Sequence, residues 1–262
     1  MPATQARVAR VCGHLGELVQ GRFGAGGPLA LVTLPCDGVE VHARFGPNTS
    51  PLAAIMAARL GHDNAQISVE ANVPPGCGAG VSTATLLATL RLLAPGLSAE
   101  AESAHLLAVE GAVDPLAFAP APPRIWASRR AQTLELLPVF PRMVVVGGFD
   151  GPGQLTNPAD ENFPDMSAAF ALLRLPTPAR IGQAASISAL ANQQRNPRPN
   201  WGAAQELAAE TGALGIAVAH TGAALSLLFA PGAAGIGRAQ AGLDALGLSH
   251  VMRFEFGQGA QL

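Results

Sequence analysis

The sequence predicts an α+β fold, with helices laid on one face of an antiparallel sheet. Three observations carry this expectation. Apolar residues make up 49% and charged residues 13% of the 262, against about 25% charged in an average globular protein, so a sizeable core is available and the charge excess that keeps chains unfolded is absent. Short β-branched runs alternate with helical segments, and the second half reads strand, helices, strand, strand, helix, strand. Prolines at 138 and 141 interrupt the pattern, which restarts after them and divides the chain into 1-138 and 139-262.

From Ala6 to Arg44 apolar runs alternate with glycine breaks, as in Val39, Val41 and Ala43 against Glu40, His42 and Arg44, the period of strands. Asn48, Thr49 and Ser50 are cap candidates for a helix over Pro51 to Leu60. A strand follows at Ile67 to Ala71, then a Gly-Pro loop from Pro74 to Gly80. Ser82 to Leu93 reads as a helix, apolar at Leu86, Leu87, Leu90 and Leu93, and Ser98 opens another that runs to about Glu110. Prolines at 115, 120, 122 and 123 forbid regular structure until a strand pair at Arg124 to Leu137. Met143 to Val146 is a strand, and Gly147 to Pro164 a long polar loop carrying Asp150, Asp160 and Glu161, of the length that suggests a functional excursion. Helices are expected near Asp165 to Leu173, Ala179 to Gln193, Trp201 to Thr211 and Ile236 to Leu246, with a buried hairpin between the last two and a final strand at Val251 to Phe256.

Composition excludes several chemistries. The formal charge is -2 and neither sign forms a run, so there is no basic footprint for nucleic acid or anionic lipid. All sixteen basic residues are arginine, and there is no tyrosine. A Schiff-base lysine, a phosphate loop ending in Gly-Lys-Ser/Thr and a tyrosine acid are therefore ruled out. Cys12, Cys36 and Cys77 are too few and too scattered for a disulfide framework or zinc site, which fits a reducing cytoplasm. Gly13, His14, Gly16 and Glu17 come before any run suited to a signal peptide. The uncharged stretch from Gly212 to Gly237 is long enough to span a membrane, but His220, Thr221, Pro231 and its glycines break it into Ile216 to Ala219 and Leu225 to Ala230, a buried hairpin.

The most informative segment is Val73 to Leu87, V-P-P-G-C-G-A-G-V-S-T-A-T-L-L. Gly76, Gly78 and Gly80 let backbone amides face one small volume at a helix N-terminus, where unpaired N–H groups and the helix dipole favour an anion such as phosphate. Ser82 and Thr83 lie in the first turn, where a hydroxyl could reach Mg2+ or a phosphate oxygen; the same pattern also suits a flexible turn with either hydroxyl as an ordinary helix cap. Glu110 and Asp114 stand four apart. Beside a phosphate loop, one carboxylate could hold a metal while the other deprotonates an attacking hydroxyl. Equally, they could be a solvated helix-end glutamate and a turn-capping aspartate. His220 reads as a structural histidine, Cys77 as a small filler, Trp126 and Trp201 as packing residues, and His14 as the end of a strand.

The loop P-P-G-C-G-A-G-V-S-T-A resembles the second motif of the GHMP small-molecule kinases, named for galacto-, homoserine, mevalonate and phosphomevalonate kinases, roughly P-x3-G-L-G-S-S-A. G-H-L-G-E-L-V-Q-G (Gly13 to Gly21) with L-V-T-L-P-C (Leu31 to Cys36) is similar to the opening of the L-threonine kinase branch, linked to cobalamin side-chain synthesis and propanediol utilisation. S-A-L-A-N-Q (Ser188 to Gln193) and A-V-A-H-T-G-A-A-L-S-L-L-F (Ala217 to Phe229) resemble that branch's C-terminal motifs. The four matches fall in order along the chain.

The resemblance implies a two-domain GHMP kinase fold: an N-terminal ATP-binding domain like domain 2 of ribosomal protein S5 over 1-138, and a C-terminal ferredoxin-like sandwich over 139-262, with the active site in the cleft between them. It implies ATP and Mg2+ as cofactors and transfer of the γ-phosphoryl group to an alcohol, with L-threonine as acceptor. By position, Pro75, Gly76, Cys77, Gly78, Ala79, Gly80, Ser82 and Thr83 would form the nucleotide loop. Ser82 and Glu110 would hold Mg2+, and Asp114 would be the catalytic base. Glu17, Gln20, Asp160, Thr221 and Gly222 would line the acceptor and phosphate side. Ala79 and Val81 depart from the motif, and Arg198 is expected to stand in for a lysine of the branch. Two alternatives stay open: a nucleotide- or metabolite-binding regulator without transfer, and a kinase of another alcohol such as homoserine. Expected partners are ATP and a small acceptor, without nucleic acid or membrane, in a homodimer.

Overall fold

The computed structural model describes residues 7–259 except 49 and 155. Ala6 and the cap candidate Thr49 therefore lie outside the described residues. The chain folds as β1 (Val8–Arg22), β2 (Leu29–Phe45), α1 (Pro51–Arg59), β3 (Ile67–Ala71), α2 (Val81–Leu93), α3 (Ala99–Glu110), a 3-10 turn (Pro115–Phe118), β4 (Arg124–Ala127), β5 (Gln132–Leu136) and β6 (Met143–Phe149). It continues through α4 (Ser167–Leu173), α5 (Pro178–Gln193), α6 (Trp201–Thr211), β7 (Gly215–Val218), β8 (Ala224–Phe229), α7 (Ile236–Ala245) and β9 (Ser249–Phe256). Among the described residues, two features were unforeseen in the sequence: β6 continues through Gly147, Gly148 and Phe149, read there as the start of the loop, and the 3-10 turn accepts Pro115 because the first position of a turn needs no N–H donor.

The α+β expectation is borne out by a single nine-stranded sheet, ordered β5-β4-β2-β1-β7-β8-β6-β9 with β3 also on β2. Every pairing of these strands is antiparallel. The two halves of the chain meet where Glu17 of β1 pairs with Val218 of β7. β6, M-V-V-V-G-G-F, is buried at every position. Its side chains alternate between two clusters, as the period of a strand requires. Val145 joins the main core with Leu15, Phe149 and Phe170, while Val144 and Val146 join a second cluster with Ile236 and Leu243 of α7 and Ala204 of α6. Burial of an apolar side chain is worth about 1.5–3 kcal/mol, so a continuous apolar strand covered on both faces needs no polar alternation.

The uncharged 212–237 stretch forms the β7–β8 hairpin and the start of α7. Among the described residues, no helix is long and apolar enough to cross a membrane. Trp126 is fully buried, with its indole N–H donating to the Val113 carbonyl at 2.7 Å.

β1 is the irregular strand. Its register on β2 shifts between Cys12 and Gly13, His14 and Glu17, and Glu17 and Val19. Such bulges leave backbone groups unpaired and re-aim side chains. Here the freed N–H groups of His14 and Gly16 donate to the carbonyl oxygens of Ala79 and Gly78, at 3.2 and 3.0 Å. Gly16 has φ 78°, and a Cβ there would lie 2.8 Å from the Ala219 nitrogen. Only glycine fits this joint.

Candidate active site

The glycine loop is held from three sides. β1 receives Gly78 and Ala79, as described. The turn between β7 and β8 closes on it from another direction: Ala223 and Ala224 donate to the Cys77 carbonyl at 2.9 and 3.0 Å. A Cβ on Gly222 would approach the Gly78 nitrogen to 2.4 Å, and one on Gly78 would meet the Ala219 Cβ at 2.2 Å. The loop after β6 crosses from the third side, where Gln154 donates to the Gly76 carbonyl at 2.7 Å and the Thr156 and Thr221 hydroxyls lie 2.9 Å apart. Pro75 leads into this clamp. Gly76, Gly78 and Gly80 all have positive φ. Cys77 is buried, its thiol pushed up to about 11 chiefly by burial and donating to the Pro74 carbonyl, so it packs as an unreactive filler.

At α2 neither Ser82 nor Thr83 acts as the helix cap. Ser50, Ser98 and Thr177 cap α1, α3 and α5 with their hydroxyls. α2 begins instead on Gly80, in the left-handed region, with no side-chain cap. Its first N–H groups are left without a side-chain acceptor, as at α4, α6 and α7, and here they adjoin the glycine loop, an arrangement suited to an anion. Thr83 does not cap either. Its hydroxyl donates to the Glu110 carboxylate at 2.7 Å, while Ser82, one residue earlier, is half-buried.

Glu110 is thus not a solvated helix-end residue. Burial pushes its carboxyl up to about 7, against the Thr83 hydrogen bond and with the Asp114 charge adding to the rise. Asp114 sits at the N-cap of the 3-10 turn yet leaves the turn uncapped. Its Oδ2 instead takes the Nε2 of His14 at 3.0 Å, with the aspartate side chain 21% exposed and the histidine 3%. Gly80 makes room for this pair, since a Cβ there would lie 2.7 Å from the imidazole ring and 3.4 Å from Asp114 Oδ2.

His14 is a site residue that sequence reasoning took for a strand end. Its signal was the glycine on either side of H-L in G-H-L-G-E, which marks a broken strand rather than a finished one. Ligand-type atoms of His14, Glu17 and Asp114 all lie within 4.8 Å of one another. All three groups already have a partner within the protein, His14 Nε2 with Asp114 Oδ2 at 3.0 Å and Glu17 Oε2 with the backbone N–H of His220 at 3.0 Å. Burial alone would lower His14, but the charge and hydrogen bond of Asp114, with the charge of Glu17, more than offset it and the net shift is upward. Glu17 is pushed up to about 7 by burial, with His14 and the backbone N–H of His220, 3.0 Å away, opposing.

Behind Glu17 lies a second polar layer. His220 receives the Ser188 hydroxyl at 2.9 Å, and burial, then Arg195 and Arg198, pull its pKa down to about 3. It is a neutral structural histidine. Arg198, expected to face phosphate, is buried beneath the β7–β8 turn and donates to the Ala219 carbonyl. Burial lowers it to about 10, against the charges of Asp150 and Glu17. Gln20 contributes its backbone N–H to Ser188.

The structure therefore brings Gly76, Gly78, Gly80, Thr83, Glu110, Asp114, Glu17, Thr221 and Gly222 around one loop. Asp160 is not gathered there. Its carboxylate accepts Arg195 at 2.5 Å, and Arg195 stacks over the Phe163 ring at 3.8 Å. Glu161 is exposed, 3.8 Å from Arg22.

No model of a known protein family matches the chain, and no curated protein matches it. Solved structures do. A homoserine kinase from Cytophaga hutchinsonii superposes with a TM-score of 0.58 at 15% identity, covering 99% of this chain and 97% of that one. A mevalonate kinase from Methanococcus jannaschii gives 0.68 at 9% identity, with 97% and 98% covered. A mevalonate kinase from methicillin-resistant Staphylococcus aureus gives 0.59 at 14%, with 95% and 98% covered. The chain has, from end to end, the fold of the GHMP small-molecule kinases.

Proposed function

We propose that the protein is an ATP- and Mg2+-dependent small-molecule kinase that phosphorylates an alcohol, with L-threonine as acceptor and O-phospho-L-threonine as product. The observation that carries this is Asp114, which occupies a capping position without capping and stands beside Gly80 at the uncapped start of α2. The fold shared with homoserine and mevalonate kinases supports phosphoryl transfer, and the four ordered motifs support the threonine branch. We take 1-138 and 139-262 as the two domains.

The residues fit the cofactors. Gly76, Gly78 and Gly80 with the free N–H groups of α2 would receive the phosphates, while Glu110 and Ser82 would hold the metal. Bound Mg2+ would neutralise charge on the transferring phosphates. Asp114 has Oδ2 engaged by His14, which leaves Oδ1 for the acceptor. As the hydroxyl O–H bond breaks, its proton goes to Oδ1. The acceptor oxygen bonds to the γ-phosphorus, and the bond to the β–γ bridging oxygen breaks with its electron pair leaving on ADP. Most of the rate then comes from placement and electrostatics. Gln20, Thr221 and Gly222 would line the acceptor side, and Asp160 would have to exchange Arg195 for an ammonium group to join them.

ADP release with Mg-ATP against L-threonine, L-serine, L-homoserine, ethanolamine and aminopropanol tests the proposal. Turnover with threonine, lowered about 10²–10⁴-fold in Asp114→Asn, is the expected outcome. ATP binding without turnover on any acceptor would favour a regulator instead.

A further inference from the structure

Resting on the kinase proposal, one residue outside the expected set deepens it. We propose that His14 is a positioning residue for Asp114: its Nε2–H fixes one carboxylate oxygen, and its imidazolium supplies the cation that a chain without lysine otherwise lacks at the transfer site.

Three observations converge on this role. His14 is almost wholly buried, so it cannot touch the acceptor itself and acts through Asp114, the partly exposed member of the pair. The ring's side-chain hydrogen bond is to Asp114 Oδ2 at 3.0 Å, and the Gly16 backbone also faces the ring and favours its charged form. An Nε2 that faces a carboxylate carries the proton, so the contact orients Asp114 in either charge state of the ring. Finally, three arginines near the cleft are engaged elsewhere: Arg198 with the Ala219 carbonyl, Arg195 with the Asp160 carboxylate and Arg129 with the Asp160 carbonyl.

The groups around the ring set its charge. Asp114 faces it from the turn after α3, Glu17 from β1 and the uncharged Gly80 backbone from the glycine loop. Behind these, Glu110 interacts with Asp114, and Arg198 and the His220 N–H with Glu17. Acids outnumber cations immediately around His14, and the upward shift of its pKa agrees with that balance. A cation that titrates, where a lysine would not, makes transfer sensitive to pH. As pH rises and the imidazolium is lost, Asp114 keeps its orientation but loses its counter-charge beside the phosphates, and kcat falls by about tenfold per pH unit.

Histidine NMR on the intact protein, combined with pH profiles of kcat, tests this. The His14 ring signals, assigned by their loss in His14→Gln, are expected to report an imidazolium at pH values where an unperturbed imidazole is already neutral, and to lose that difference in Asp114→Asn. His14→Gln should lower kcat at least tenfold with KM for ATP unchanged, whereas His14→Lys should restore kcat and abolish the alkaline fall. A His14 that titrates as an unperturbed imidazole, or a His14→Lys profile that falls as the wild type does, would overturn the proposal. If wild type phosphorylates no acceptor, the kinase proposal fails while the titration still decides the His14–Asp114 pair.

Discussion

Glu110 depends on one hydroxyl. With Thr83 replaced by valine, the half-buried carboxylate loses the one hydrogen bond it makes among the described residues, a loss of about 1–3 kcal/mol. Thermal denaturation of Thr83→Val should therefore show a Tm several degrees lower, and titration with Mg-ATP a weaker affinity, because the carboxylate that would hold the metal is no longer oriented. An unchanged Tm would mean that Thr83 and Glu110 do not meet. At this scale the sequence pointed to the glycines, the first-turn hydroxyl of Thr83 and the carboxylates of Glu110 and Asp114 that the structure brings together. His14 was not, because its role rests on burial and on register shifts in β1. Neither can be read from one strand without its neighbours. Nor was the partner of Asp160 legible: Arg195, brought near by the start of the α5–α6 connection, pairs with it across 35 residues of sequence.

The glycine loop acts as an element whose shape is set by the surfaces clamped onto it. Gly78→Ala would strain a residue at φ 81° and drive a methyl into Ala219 and the Thr221 carbonyl. Gly96→Ala meets nothing within 4 Å at φ 87°, so it should show the left-handed cost alone, about 1–2 kcal/mol. Chemical denaturation of the two variants is expected to place Gly78→Ala well below Gly96→Ala, with ATP binding lost only in the former. Equal losses would remove the clamp from the account. The helices and strands themselves were readable from periodicity, with boundaries close to those observed. The 3-10 turn was not, since a proline-rich stretch announces only where α-helices and strands stop. The bulges of β1 are likewise tertiary, produced by the glycine loop drawing off the N–H groups of His14 and Gly16.

Across the whole molecule, buried ionisable groups at the β1–β7 joint make stability depend on pH in two opposed ways. His220 is held neutral, its pKa lowered from 6.5 to about 3, so unfolding releases a group that binds protons more tightly. Its contribution is present above pH 6.5 and lost as pH falls toward 3. Glu17 is raised from 4.5 to about 7, so its contribution is present below pH 4.5 and lost as pH rises through 7. His220→Gln should therefore lose less stability than wild type between pH 6.5 and 4, and Glu17→Gln less between pH 5 and 8, as read by Tm across pH. Parallel curves for all three proteins would contradict the burial of these groups. The joint also explains what the sequence could and could not give at this scale. An α+β architecture followed from the order of elements, but the continuity of one sheet through Glu17 and Val218 depends on a long-range pairing that no local pattern encodes.

Phosphorus NMR of the protein with Mg-ATP and L-threonine tests the central claim most directly. The account predicts a new phosphomonoester signal, coupled to the proton on the threonine β-carbon and growing as the γ-phosphate signal declines, and its disappearance in Asp114→Asn. ATP consumed only to inorganic phosphate, or product formed at the wild-type rate by Asp114→Asn, would contradict it.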